Sequence, residues 1–181
     1  QTPAQAPVAE THLKNIRQLT FGGQNAEAYF NRDCTLLTYQ TRQPEFPDEQ
    51  IFTMKLDGSD KKLHSTGKGR CTCSYFSPDG KWIAFMGITN NAWNVFFWQV
   101  GSTNMPINLT NSTGQTRNED PKFSTDGKSL FFKQNGDVMQ AALSYTSSGP
   151  VFTSTVNLTR TAPTLENSMP FATPDGTAVY Y

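Results

Sequence analysis

The sequence predicts an all-β protein built from repeated four-stranded antiparallel sheets. Three observations support this prediction: a motif that recurs four times, tight-turn residues inside each copy, and a near absence of helical periodicity. Four short strands repeated at this interval are typical of the blades of a β-propeller.

The recurring motif is an aromatic residue, a small polar residue, a variable residue, an aspartate and a small residue, followed by an apolar strand. Its aromatic residues are Phe30, Phe76, Phe123 and Phe171, spaced 46, 47 and 48 residues apart. Propeller blades repeat at about 40–50 residues, so the spacing fits. The fourth copy has one extra residue before Asp175. We expect the four aromatic side chains to form core between neighbouring blades.

Each copy also contains the residues of a tight turn between the first two strands of a blade. Three copies have an Asp-Gly pair, which suits the left-handed backbone of such turns, at residues 79–80, 126–127 and 175–176. Cys34 replaces the glycine in the first copy. Because a side chain disfavours positive φ, we expect that turn to be costlier or of another type.

Further strands complete each predicted blade. Third strands are predicted over residues 50–54, 94–98 and 137–141, and fourth strands end in Leu-Thr pairs at 109–110 and 158–159, with a weaker version at 63–65. One outer strand over residues 16–20 precedes them, and residues 169–181 form the first two strands of a fourth blade. The prediction is three complete blades with partial blade strands at both ends.

Several of these segments resemble a known repeat. The turn at residues 76–80, the pair Leu19-Thr20, and Ile51-Phe52 with Asp57-Gly58 resemble the PD40 repeat, a WD40-like repeat of TolB-like β-propellers. The resemblance covers residues 16–181 and implies that they are blades of a larger propeller. It also implies a periplasmic or secreted protein. The open blades are expected to be completed by a longer chain or by a neighbouring copy.

The composition limits the location and the kinds of partner that we expect for the protein. The first fifteen residues open on a Pro/Ala/Gln run, and we interpret residues 1–15 as a flexible leader that follows a cleaved secretory signal. Fifteen Lys+Arg balance fifteen Asp+Glu without a basic run, which argues against a nucleic-acid partner. No apolar stretch approaches the roughly 20 residues of a membrane-spanning helix, so membrane insertion is not predicted.

The sequence has few of the residues that a catalytic site would need. Two histidines, His12 and His64, are too few for a metal cluster, and no Gly-x-Ser-x-Gly segment accompanies them. Cys71 and Cys73 do not have zinc-ligand spacing, and with Cys34 they make an odd number, so at least one has no partner within the chain. We therefore predict no enzyme, metal or cofactor.

Two sets of candidate sites remain. Residues shortly before each motif aromatic belong to the innermost strand and are predicted to reach the mouth of the central channel, a common docking position; they are Glu27, Cys73, Asp120 and Ser168. Three asparagines fit the N-glycosylation pattern, namely Asn108, Asn111 and Asn157. For these, the repeat's own Leu-Thr ending is an alternative explanation.

The leading function is a non-catalytic, exported scaffold that presents its channel mouth to a protein partner, as the resemblance to TolB-like propellers implies. Two alternatives are open. One is the gating propeller of a prolyl-oligopeptidase-like serine peptidase without its hydrolase domain. The other is a structural subunit that assembles with further copies of itself.

Overall fold

The computed structural model describes residues 12–160 and 166–181. Within them, the first blade is an antiparallel sheet with strand order β1-β2-β3-β4. Its strands are β1 (Gln24–Phe30), β2 (Leu36–Arg42), β3 (Gln50–Lys55) and β4 (Lys62–Leu63). Each strand pairs with the next along the chain, which is the meander expected when consecutive strands are joined by short turns.

The second and third blades repeat this order. The second contains β5 (Cys71–Phe76), β6 (Trp82–Thr89), β7 (Ala92–Gln99) and β8 (Ile107–Asn108). The third contains β9 (Asn118–Phe123), β10 (Ser129–Gln134), β11 (Asp137–Thr146) and β12 (Gly149–Asn157). A two-stranded sheet of β13 (Phe171–Ala172) and β14 (Val179–Tyr180) follows. The prediction of three four-stranded blades and a partial fourth is confirmed.

The blades pack face to face, and the middle strands are buried on both faces. In β6, Ile83 and Phe85 join a cluster with Ile51 of the first blade, whereas Ala84 between them joins a cluster with Leu130 of the third. Successive side chains of a strand point to opposite faces, so one strand serves two blade interfaces. This explains why the middle strands are continuous apolar runs.

The hairpin turns share one hydrogen-bond pattern. The glycine N–H of each Asp-Gly turn donates to the carbonyl three residues earlier, at 2.9 Å for Gly80 to Ser77, for Gly127 to Ser124 and for Gly176 to Thr173. Cys34 makes the equivalent bond to Asn31 at 3.0 Å and has φ of 50°. The turn type is therefore kept, and Cys34 adopts the left-handed conformation that glycine adopts elsewhere.

Two sequence expectations concern the N-terminal side. The leader prediction lies mostly outside the described residues, which begin at His12. The strand predicted over residues 16–20 is wrong, because no described segment pairs with it. Leu19 instead packs on the cluster of Leu37, Tyr39 and Met54. Among the described residues, no helix has the length and apolar character needed to cross a membrane.

Candidate binding site at the channel

The innermost strands β1, β5, β9 and β13 lie next to one another in blade order and line one side of a channel. The first three carry a β-bulge in their middle, where the pairing register with the next strand shifts. Glu27, Cys73 and Asp120 occupy these bulges with φ of 50°, 54° and 53°. They lie at mid-strand on the three inner strands, and their role at the mouth of the channel stays a prediction.

The bulges at Cys73 and Asp120 are held by the preceding blade. The N–H of Cys73 donates to Gln40 Oε1 at 2.9 Å, and the N–H of Asp120 contacts Met86 Sδ at 3.4 Å. Gln40 and Met86 occupy equivalent positions in the second strands of successive blades. The extra backbone donor that a bulge leaves unpaired is thus satisfied across a blade interface.

The fourth copy of the motif is shifted by one residue from its predicted alignment. Thr173 N donates to Ala178 O at 2.9 Å, as Ser77 N donates to Trp82 O at 2.8 Å, so Thr173 is the equivalent of Ser77. The position equivalent to Cys73 is then Met169, which has φ of 54°. Ser168, the predicted channel residue, lies one position earlier and is exposed. The extra residue precedes the motif and is not part of its turn.

Four side chains meet in the channel, each two residues beyond a bulge residue or its equivalent Met169. They are Tyr29, Tyr75, Lys122 and Phe171. The rings of Tyr29 and Tyr75 have centroids 4.2 Å apart. The Nζ atom of Lys122 lies 2.7 Å from the centroid of Tyr75 and 5.9 Å from that of Phe171. A cation over aromatic faces is attracted by the ring quadrupoles.

Lys122 is 8% exposed. Burial lowers its pKa to about 8, although the negative charges of Glu27 and Asp120 act in the opposite direction. Desolvation therefore outweighs the nearby negative charge. No hydrogen bond or ion pair to the Lys122 amino group is present among the described residues, where its contacts are aromatic.

The Cys73 thiol in the channel is a poor nucleophile. Burial raises the pKa of the Cys73 thiol to about 12, and the charge of Glu27 adds to the effect. A thiol with such a pKa stays protonated at neutral pH and is unreactive. One carboxylate oxygen of Glu27, Oε2, is buried without a hydrogen-bond partner in the described part of the chain.

A groove of about 530 Å³ opens where the inner strands reach their hairpin turns. Its apolar lining is drawn from all four blades and includes Phe30, Tyr75, Phe76, Phe123, Phe171, Pro78 and Pro174. Arg32 and Lys122 supply positive charge, and no aspartate or glutamate lines it among the described residues. Arg32 spans two blades, because its Nη1 donates to Pro78 O at 3.3 Å.

This groove corrects the prediction that the motif aromatics form core. Phe76 and Phe123 are half-buried and pack on the two interblade clusters. Phe30 and Phe171 are 59% and 56% exposed. The motif aromatic ends an edge strand, so one of its faces is turned to the channel. In the fourth copy, Ala172 occupies the position equivalent to Phe76, and Phe171 occupies the channel-facing position equivalent to Tyr75.

The side chains of His64 and Ser77 both have partners within the fold. His64 stacks on Trp98 with ring centroids 3.7 Å apart, and its Nε2 is 2.7 Å from Thr53 Oγ1. Ser77 Oγ donates to Asp79 Oδ1 at 2.6 Å. Both side chains are thus used by the fold. In residues 12–160 and 166–181, no group of three or more His, Cys, Asp or Glu residues is placed to hold a metal ion.

The three candidate glycosylation sites differ in accessibility. Asn157 Nδ2 donates to Asp137 Oδ2 at 2.7 Å, so its amide is engaged within the blade. Asn108 is half-buried, and its Oδ1 accepts from Asn111 N at 2.9 Å. Asn111 itself is exposed. Glycosylation remains a prediction for all three, and steric access favours Asn111.

Sequence reasoning missed Tyr29, Tyr75, Lys122 and Arg32. A signal was present for the first three, because a large residue directly precedes the motif aromatic in each of the first three copies. In a strand, that residue faces the opposite side from the aromatic. Arg32, in the variable position of its turn, gave no such signal.

Four-stranded antiparallel blades whose inner strands line a common channel define the β-propeller class. Solved structures identify the fold further as TolB-like. TolB from Acinetobacter baumannii superposes with a TM-score of 0.68 at 22% identity, over 90% of this chain and 39% of that one. A protein assigned as TolB from Agrobacterium tumefaciens gives 0.66 at 22% identity, over 83% and 50%.

The β-propeller domain of the Trilobed protease from Pyrococcus furiosus, which has an open velcro topology, gives a TM-score of 0.55 at 14% identity, over 76% of this chain and 43% of that domain. The chain thus spans half or less of the length of these structures. No protein-family model matches the chain, and no curated sequence is significantly similar to it.

Proposed function

We propose that this chain forms blades of an exported, non-catalytic β-propeller that binds a segment of a partner protein in the groove at the hairpin end of the channel. The observation that carries the proposal is the groove itself, in which aromatic side chains of four blades surround one buried cation. Clustered aromatic residues and arginine are the side chains that most often dominate protein interfaces.

The groove has the right character for a peptide segment. At about 530 Å³ it lies in the range of about 300–1,000 Å³ typical of ligand sites. Phe30 and Phe171 leave a large apolar surface exposed in the groove. Pro78 and Pro174 also line it, and their side chains are rigid. Exposed apolar patches of this kind are characteristic of interaction surfaces. Export is proposed from the resemblance to TolB-like propellers.

Site-specific photocrosslinking tests the proposal. A benzophenone amino acid at Thr125, an exposed residue of the groove, should crosslink a discrete protein in cells of the native source. The same probe at Ser154, exposed on the outer strand β12, should not. Identical products from both positions would contradict the proposal. A product of twice the chain mass would instead favour the self-assembling subunit.

The non-catalytic part has its own test. Purified protein should show no turnover of peptide, ester or pectate substrates, because the channel thiol is protonated and His64 is enclosed between blades. A saturable rate that disappears on substitution of His64 or Ser77 would overturn this part.

A further inference from the structure

Lys122 is the one charged side chain of the groove lining that is more than nine-tenths buried among the described residues. It reaches the groove from the inner strand β9, with Tyr75 below its amino group and Phe171 to one side. A buried ammonium group without an anion or hydrogen-bond acceptor is costly, and proteins normally pair such charges. Within the described chain, Lys122 has aromatic rings in place of that pairing.

The acidic groups of the channel do not supply the missing partner. Glu27 and Asp120 act on Lys122 through charge alone, and no ion pair joins either of them to it in the described residues. They lie at the bulges, deeper along the inner strands than Lys122, and neither lines the groove. The pKa of Lys122 stays lowered in their presence, because burial outweighs the effect of their charges.

We propose that Lys122 is the carboxylate receptor of this groove, and that the segment bound there presents an aspartate or glutamate side chain flanked by aromatic or aliphatic residues. This inference rests on the proposed function and names the chemistry of the partner segment. The carboxylate would pair with the Lys122 amino group while its apolar neighbours pack on Phe76 and Phe123.

The groove favours a side-chain carboxylate over a chain terminus. Recognition of a C-terminal carboxylate uses backbone N–H groups that converge on it. Here the turn donors are already used: Gly80 N donates to Ser77 O and Gly127 N to Ser124 O, both at 2.9 Å. Pro78 and Pro174 bring no N–H at all.

Fluorescence anisotropy with short labelled peptides tests the inference. The probes are the amidated, acetylated peptide Ser-Phe-Asp-Phe-Ser, its Asn isostere, and its Lys counterpart, each measured against the wild-type chain. We expect the Asp peptide to bind about tenfold more tightly than the Asn peptide, as a charge-assisted hydrogen bond predicts. The Lys peptide should bind more weakly than both.

Matched variants locate the effect. Lys122→Met keeps the apolar stem and removes the charge, so it should abolish the preference for Asp over Asn. Lys122→Arg keeps the charge and should retain the preference. Lys128→Met removes an exposed lysine of the neighbouring turn and should change neither affinity. Thermal unfolding of each variant reports on folding separately from binding.

The pH dependence gives a second readout. Lys122 has a pKa of about 8, lowered by burial. As pH rises from 7 to 9.5 the amino group loses its proton, and the preference for the Asp peptide should fall. Glu27, Asp120, Cys73, Tyr29 and Tyr75 are the other titratable groups near it, and the Asn peptide controls for their titration.

Equal binding of the Asp and Asn peptides, or a preference that persists in Lys122→Met, would overturn the inference while leaving the groove as a peptide site. Tighter binding of a peptide with a free C-terminal carboxylate than of its amide would overturn the side-chain assignment. If no peptide binds at millimolar concentration but Thr125 still crosslinks a partner, the inference fails alone. If neither is seen, the proposed function fails too.

Discussion

Thr110 closes the second blade through Asn94. The Thr110 hydroxyl donates to Asn94 Oδ1 at 2.8 Å and accepts from Val95 N at 3.0 Å. Ser112 N adds a bond to the same Asn94 oxygen at 2.6 Å. Asn94 belongs to the third strand, and Thr110 follows the two-residue fourth strand, so side-chain hydrogen bonds fix an outer segment that has few ladder bonds of its own.

The other blades repeat this arrangement with different residues. In the first blade, Ser65 Oγ donates to Gln50 Oε1 at 2.7 Å and accepts from Ile51 N at 2.9 Å. In the third, Thr159 Oγ1 donates to Asp137 Oδ1 at 3.0 Å and accepts from Val138 N at 3.1 Å. The hydroxyl of the Leu-Thr ending thus caps the start of the third strand in each complete blade.

Thr110→Val should destabilise the protein by about 1–3 kcal/mol, because the isosteric change leaves Val95 N without its acceptor and removes one of the two donors to Asn94 Oδ1. Urea unfolding measures the change in the free energy of unfolding. Thr113→Val, at an exposed position nearby, is the control and should stay within about 0.5 kcal/mol of wild type. Equal effects of the two changes would contradict the capping role.

Cys34→Gly should stabilise the protein by about 1 kcal/mol, since Cys34 has φ of 50° and glycine adopts this conformation without steric cost. The reciprocal change, Gly80→Cys, should destabilise by a similar amount. Gly80 has open space around it, so strain and not a clash would be the cause. Differential scanning calorimetry under reducing conditions checks both. A fall in stability for Cys34→Gly would count against the turn assignment.

Phe97→Ala should cost about 3–5 kcal/mol, because Phe97 is fully buried between the second and third blades. Phe76→Ala should cost clearly less, because one face of Phe76 lines the groove. Denaturant titration of the two variants provides the comparison. A larger loss for Phe76→Ala would mean that the motif aromatic is a core residue after all.

Acid should destabilise the protein through His64. Burial lowers the pKa of His64 to about 4, with a smaller contribution from Lys62, whereas the unfolded chain has a value of about 6.5. The unfolded state therefore binds more protons between these values, and stability present above pH 6.5 is lost as pH falls toward 4.

His64→Phe keeps a ring against Trp98 and cannot titrate. The unfolding free energy of wild type should fall relative to that of this variant between pH 7 and pH 4. Chemical denaturation at several pH values measures this change. A difference that is constant with pH would show that His64 does not contribute.

The blade architecture followed from local signals. Asp-Gly turns and apolar middle strands act within a few residues, and their recurrence predicted the four-stranded sheets that the fold contains. The strand predicted over residues 16–20 failed for a non-local reason, because strand character requires a paired neighbour. The same limit explains the fourth copy, where Phe171 supplied the aromatic residue of the motif but left one extra residue before Asp175. The bonds of Thr173 to Ala178 and Asp175 show that the true register is one residue later.

The sequence by itself determined the repeat and its turns. Tertiary structure alone decided what surrounds Lys122. Its burial depends on Tyr75 from the preceding blade and Phe171 from the following one, which lie 47 and 49 residues away along the chain. A lysine in a strand reads as a solvated side chain when its neighbours are unknown, because desolvation is set by the groups packed around it in space.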